Sequence, residues 1–198
     1  MSKMNEARAH TKIMAQFVKD IKYGELTELA IQKAKEQILG ILGTIFAGLK
    51  TVPGRILVET VKGWGDKPEA TVIGTSVKTS VRGAVLANSS LAQSYDYDDS
   101  VMYCHTGNSV IPVSLALAEK YNCSGEELLT AIVLGNEIEG RVGLSIHEGT
   151  LRGQVLSVPC HLFGSAAIAS RLMGLTQEQT LNALGIAGYL STVPNVTG

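Results

Sequence analysis

Cysteine is too scarce here for a disulfide framework. Cys104, Cys123 and Cys160 are scattered, and none belongs to a Cys-x-x-Cys pair of the kind that holds structural zinc. They read as reduced thiols. Charge of one sign is also missing. Against 17 basic side chains stand 18 acidic ones, giving a net charge of -1. No Lys/Arg run follows a phosphate backbone, which argues against nucleic acid as a partner. Long apolar runs are absent too: Ile38 to Leu49 is broken by Gly40, Gly43, Thr44 and Gly48 and falls short of the roughly 20 residues that cross a bilayer. No membrane association is expected. Met1 to His10 is polar and mixed in charge, without the basic-then-apolar order of a secretion signal, so the expected address is the cytoplasm.

Glycine, by contrast, is plentiful. There are 21 in 198 residues, many inside stretches of helical periodicity. A glycine costs a helix interior up to about 1 kcal/mol against alanine, so its repeated use points to helices that approach closely. The length allows one domain with a substantial buried core, or a piece of a larger helical one.

The spacing predicts an all-α, bundle-like domain. Ile13, Met14, Phe17, Val18 and Ile21 mark one face of a first helix ending near Gly24. A second runs from about Thr27 to Ala47 and becomes apolar all round, and Pro53 suits the first turn of a third, Gly54 to Trp64. Residues 70–73 and 77–81 alternate around Gly74 to Ser76, predicting one short hairpin near 70–81. Helical spacing returns over Val81 to Tyr95. After a loop rich in Gly, Asn and Ser, a buried helix is expected over Val110 to Tyr121 with Pro112 in its first turn. Ser124 with Glu127 forms a capping box opening a helix from Gly125 to about Ile146, with Leu128, Ile132 and Asn136 inward. Leu162 to Met173 reads as a small-residue helix closed by Gly174, and Thr176 with Gln179 caps a last one.

Chemistry concentrates between Tyr95 and His105. Asp96, Asp98 and Asp99 crowd the end of a helix, where like charges raise one another's pKa and oppose the helix dipole unless donors, cations or a metal intervene. His105 follows, leading into Gly107-Asn108-Ser109, and an imidazole beside carboxylates is a ready acid or base near neutral pH. A diphosphate-Mg²⁺ site fails on spacing, because Met102 stands where a third carboxylate belongs. Glu137 and Arg141 make an i,i+4 pair that reads as structural, together with Glu139 on the same helix. His147, Glu148 and His161 read as surface residues, and Arg152 offers a fork of donors suited to a carboxylate-rich ligand.

Asp96-Tyr97-Asp98-Asp99-Ser100, then His105 and Val110-Ile111-Pro112, resembles the Asp-Phe-Asp-Asp-Thr, His-Pro and Val-Val/Leu-Pro signature of the MmgE/PrpD family. Glu69 to Gly74, the helix holding Asn88 and Ala92, Ser124 to Arg141, and Phe163 to Leu175 are similar to further stretches of that family, so the likeness covers nearly the whole chain. The resemblance implies lyase-type chemistry, dehydration or decarboxylation of a small di- or tricarboxylic acid by proton transfer next to a carboxylate, with no required metal or other cofactor. Epimerases occur in the same family. Asp96 and His105 match its active-site residues, and Ser100 matches its threonine. Substrate contacts are expected from Arg152, Asp99 and His161. Where relatives place a histidine before the small-residue helix, this chain has Gln154 or Val155, then Ser157, Pro159 and Cys160.

Family members run to more than twice this length and add a lysine, a tyrosine and a lid domain. Residues 1–198 are therefore expected to be an incomplete helical domain without the lid. The alternative is a non-catalytic helical module or half of a split enzyme. Self-association as a homodimer, or association with a missing C-terminal half, goes with either expectation.

Overall fold

The structure, a computed structural model, describes residues 3–150 and 157–191. Among these residues the elements are α1 (Lys3–Asp20), α2 (Glu28–Gly48), α3 (Val52–Gly63), β1 (Ala70–Thr71), β2 (Lys78–Thr79), α4 (Val81–Gln93), α5 (Gly107–Tyr121), α6 (Gly125–Thr150), α7 (Ser157–Leu172) and α8 (Gln177–Leu190). The fold is all-α with one two-stranded antiparallel hairpin.

Helix starts are written into the chain by side chains that accept from otherwise unpaired backbone N–H groups. Thr27, Thr51 and Ser80 take the N–H groups of Ala30, Gly54 and Gly83. Both expected capping boxes form. Ser124 Oγ accepts from Glu127 N at 3.2 Å while Glu127 Oε2 accepts from Ser124 N at 3.0 Å, and Thr176 and Gln179 repeat the exchange. At the other end, Gly174 closes α7 at φ +67° and Asn122 closes α5 at φ +52°.

The main core gathers Ile41 and Ile45 of α2, Leu91 of α4, Ile111 of α5, Ile132 of α6 and Ile168 of α7. A second cluster joins Val18 of α1 and Leu184 of α8 to Leu134 and Ile138 of α6. Two-residue strands cannot hold a hairpin by themselves. This one is tied down from both sides: buried Asn88 accepts from Ile73 N at 2.9 Å and donates to Thr71 O at 3.0 Å, while Glu119 of α5 accepts from the Thr71 backbone at 2.8 Å and its hydroxyl at 2.7 Å.

Several boundaries differ from the sequence reading. Gly107, Asn108 and Ser109 are the buried first turn of α5 rather than a loop, which puts Pro112 inside the helix. The reason is that Asn108 and Ser109 find carboxylate partners in the interior, so their polarity does not demand water. α7 likewise begins at Ser157 rather than Leu162, and α4 stops at Gln93, leaving the acidic residues beyond its end. Among the described residues no single helix is long and apolar enough to cross a bilayer; α2 and α3 qualify only together, and they are bent by 93°.

Close approach is real at Gly48, where a Cβ would lie 2.2 Å from the carbonyl oxygen of Leu91. Gly43, one turn earlier on α2, has nothing within 4 Å of that position. Gly48→Ala should therefore destabilise the fold by about 1–3 kcal/mol through overpacking against α4. Gly43→Ala should stabilise it by up to about 1 kcal/mol through helix propensity alone. Chemical denaturation of both variants checks the opposite signs.

Candidate active site

The first turn of α5 organises everything around it. Thr106, fully buried at its N-cap, donates its hydroxyl to Asn136 Oδ1 at 2.5 Å. Asn136 of α6 and Gln37 of α2 exchange amide hydrogen bonds, 2.8 Å from Asn136 Nδ2 to Gln37 Oε1 and 3.1 Å in return. Gln37 Nε2 also lies 2.5 Å from Asp99 Oδ2. This network locks α2, α5, α6 and the segment after α4 together. Gly107 leaves the room it needs, because Asp99 Oδ1 sits 1.9 Å from where a Cβ on Gly107 would stand.

Asp99 is exposed as a residue, yet its carboxyl group leans inward over Gly107 and Gln37. Burial pushes its pKa up and the neighbouring Asp98 charge adds to that, while the Gln37 hydrogen bond and His105 oppose it. Asp98 is different: its side chain is wholly out of solvent, with Oδ1 3.1 Å from His105 Nδ1 and Oδ2 accepting from Asn108 Nδ2 at 2.8 Å. The His105 side chain remains 42% exposed. Asp96, exposed, brings a carboxylate oxygen so that it, Asp98 and a His105 nitrogen all lie within 4.8 Å of one another. The segment reaches this shape through left-handed backbone at Asp96 (φ +50°), Met102 (φ +47°) and Tyr103 (φ +71°). Non-glycine residues resist such angles at a cost of order 1–3 kcal/mol each. Reciprocal backbone bonds between Val101 and Cys104, at 2.8 and 3.0 Å, hold the strained turn.

A second carboxylate and imidazole lie behind this segment. Glu139 of α6 is fully buried, accepting from the Ser109 hydroxyl at 2.8 Å on Oε1 and lying 3.0 Å from His161 Nδ1 through Oε2. Burial holds its pKa above the usual carboxylate range, against the opposing His161 and Ser109 hydrogen bonds. Cys104 Sγ rests 3.7 Å from the Glu139 carbonyl oxygen. Cys104 and Cys160, far apart in sequence, both border Gly143, at 2.5 and 3.6 Å from where its Cβ would be. The neighbouring thiol, with burial, pushes the pKa of Cys160 up.

A cleft of about 810 Å³ opens between α2, α6 and the 96–102 segment. Gln37, Ile41 and Asn136 form its walls, and the segment carrying Asp96, Asp98 and Asp99 borders it. Of the residues singled out from sequence, the structure brings Asp96 and His105 together. Ser100 lies nearby but exposed, with no side-chain hydrogen bond among the described residues. Asp99 is engaged with Gln37. His161 is not a surface residue: it sits inside α7 with Nδ1 on buried Glu139. Arg152 lies outside the described residues. Glu137 and Arg141 form the expected pair, Arg141 Nε donating to Glu137 Oε1 at 2.6 Å. Glu139, grouped with them from sequence, belongs instead to the interior, and its spacing showed it: Ile132, Asn136 and Glu139 stand at i, i+4 and i+7, on the inward face of α6.

Comparisons with known proteins give the family to which this helical fold belongs. The model of the MmgE/PrpD N-terminal domain matches residues 12–195, and the chain belongs to the MmgE/PrpD family. Human cis-aconitate decarboxylase is 31% identical over 185 residues, 89% of this chain and 38% of that protein. The mouse cis-aconitate decarboxylase is 29% identical with the same coverage, and a cis-aconitate decarboxylase-like protein of Aspergillus oryzae is 27% identical over 192 residues, covering 89% of this chain and 39% of its own length. The chain thus spans about two fifths of the length of these relatives.

Because the Asp99 pKa is higher in the fold than in the unfolded chain, the folded state binds the extra proton between the unfolded value near 3.9 and the raised one. Its contribution to stability is accordingly lost as pH rises through that window. Asp99→Asn should gain stability relative to wild type as pH goes from about 3 to about 7. Urea denaturation at both pH values reads the change, and a difference independent of pH would contradict it.

Proposed function

We propose that this chain forms the proton-transfer part of a lyase-type enzyme, a dehydratase or decarboxylase acting on a small di- or tricarboxylic acid. The supporting observation is the pairing of His105 Nδ1 with buried Asp98, next to the exposed carboxylate of Asp96 at the cleft. A carboxylate behind Nδ1 favours the tautomer with its lone pair on Nε2, the partly exposed edge, and stabilises the imidazolium formed when that nitrogen takes a proton. His105 then removes or returns a proton at a carbon next to a substrate carboxylate, with Asp96 as its partner in proton transfer and Ser100 assisting by hydrogen bonding. In dehydration the β-hydroxyl leaves with a proton as water. In decarboxylation CO₂ leaves and the carbon takes the proton instead.

Among the described residues that line the cleft the one cation is Lys33, which is paired with Glu36 at 2.7 Å. In this reading Arg152 supplies the guanidinium fork, while Asp99 and His161 contact the substrate. An epimerase of the same family would use the same first step and differ in where the proton returns. Exposed Ile186, Tyr189 and Leu190 on α8 suit self-association or packing of further chain.

The test is turnover of small polycarboxylates by this chain and by longer forms that carry it. Asp96→Ala and His105→Ala should each lower kcat by about 10²–10⁴-fold, the range that a positioned acid or base contributes. Dehydration or decarboxylation that survives both substitutions would overturn the assignment.

A further inference from the structure

Glu139 carries a cost that packing does not explain. Three elements close on it: Ser109 from α5, His161 and Gly164 from α7, and Cys104 from the strained segment against its own backbone. An apolar residue of similar size at such a place would serve the core as well or better, because a carboxylate loses its hydration on burial. The surrounding atoms act instead to orient it. Ser109 occupies Oε1, which leaves Oε2 for His161 Nδ1. Gly164 leaves the necessary room, since a Cβ there would stand 2.3 Å from Oε1. With Nδ1 held on Oε2, the ring edge away from Glu139 is the one bearing Nε2, on a side chain that is 25% exposed.

His105 repeats this arrangement. Its Nδ1 meets Oδ1 of a carboxylate with no exposed side-chain surface, and a neighbouring donor, Asn108, takes the other oxygen. Asn108 and Ser109 are consecutive residues of one turn, so a single turn of α5 orients the carboxylates behind both histidines.

We infer that Glu139 is a positioning residue for His161: accepting from Nδ1–H, it fixes that tautomer and presents Nε2 as a second proton-accepting group beside the His105 site. The catalytic meaning of this role rests on the proton-transfer reading above; the tautomer does not. Two imidazoles, each backed by its own carboxylate, supply one group to take a proton and another to return it.

Long-range ¹H–¹⁵N spectra of the histidine rings at a pH where His161 is neutral test the inference directly. Wild type should show His161 protonated on Nδ1 and bare on Nε2. Ser109→Ala should keep that pattern, and Glu139→Leu should revert to the Nε2–H form that prevails in free histidine. A wild-type His161 protonated on Nε2, or a folded Glu139→Leu variant that keeps the Nδ1–H form, overturns the inference; if the Leu variant does not fold, the wild-type spectrum decides. In turnover, Glu139→Gln should lower kcat by about tenfold or more with KM changed less than about twofold. Absence of any polycarboxylate turnover alongside the expected tautomer would remove the reaction and leave the positioning role. Turnover that needs His105 but is indifferent to Glu139, with the tautomer unchanged in the Leu variant, would do the reverse.

Discussion

The site depends on four consecutive residues, Thr106 to Ser109, being buried in the first turn of α5 rather than dissolved in a loop. Each holds a different part of its surroundings. Thr106 binds the Gln37–Asn136 amide pair, Gly107 makes way for Asp99, Asn108 holds Asp98 and Ser109 holds Glu139. Because every polar side chain of the turn has a partner, its burial costs little; losing one partner would leave a donor or acceptor stranded, at about 1–3 kcal/mol. The turn and the carboxylates therefore stabilise one another.

Strain in the preceding segment follows from the same constraint. The chain must leave α4 at Gln93, set Asp98 and Asp99 over the start of α5, and re-enter the core at Cys104. Left-handed backbone at Asp96, Met102 and Tyr103 permits that short path. Such conformations persist only where the surroundings over-determine them. Here the restraints are the Val101–Cys104 bridge, the Gln37–Asp99 bond and the stacking of Tyr103 on His147, whose rings lie 3.9 Å apart. Tyr103 thus serves to anchor the turn.

Much of the fold was legible because its signals are local. Capping boxes at Ser124 and Thr176, the glycine cap at Gly174 and the period of apolar residues along α1 and α2 depend on neighbours within a turn or two. Asn108 and Ser109 could not be placed that way. Their polarity is satisfied by residues 10 and 30 positions away, so spacing alone favours a solvated loop. His161 was misjudged for the same reason, its partner lying 22 residues back on α6. Glu139 was recoverable in principle from the inward face of its helix. Carboxylates lie outside far more often than inside, which works against that periodicity.

Three aspartates within four positions pose an electrostatic problem that the structure resolves by giving each a separate environment. Asp96 stays in water at the cleft, where its charge is screened. Asp98 is buried, but an amide donor and an imidazole take up its two oxygens. Asp99 is partly desolvated over Gly107, and that burial raises its pKa. Crowding that would be repulsive on a solvated helix end is divided among three settings: one carboxyl group lies at the cleft, one backs an imidazole, one holds the segment onto α2. The division also separates the effects of mutation. Loss of charge at Asp99 acts on stability through the Gln37 network, whereas loss at Asp98 removes the carboxylate behind His105 Nδ1.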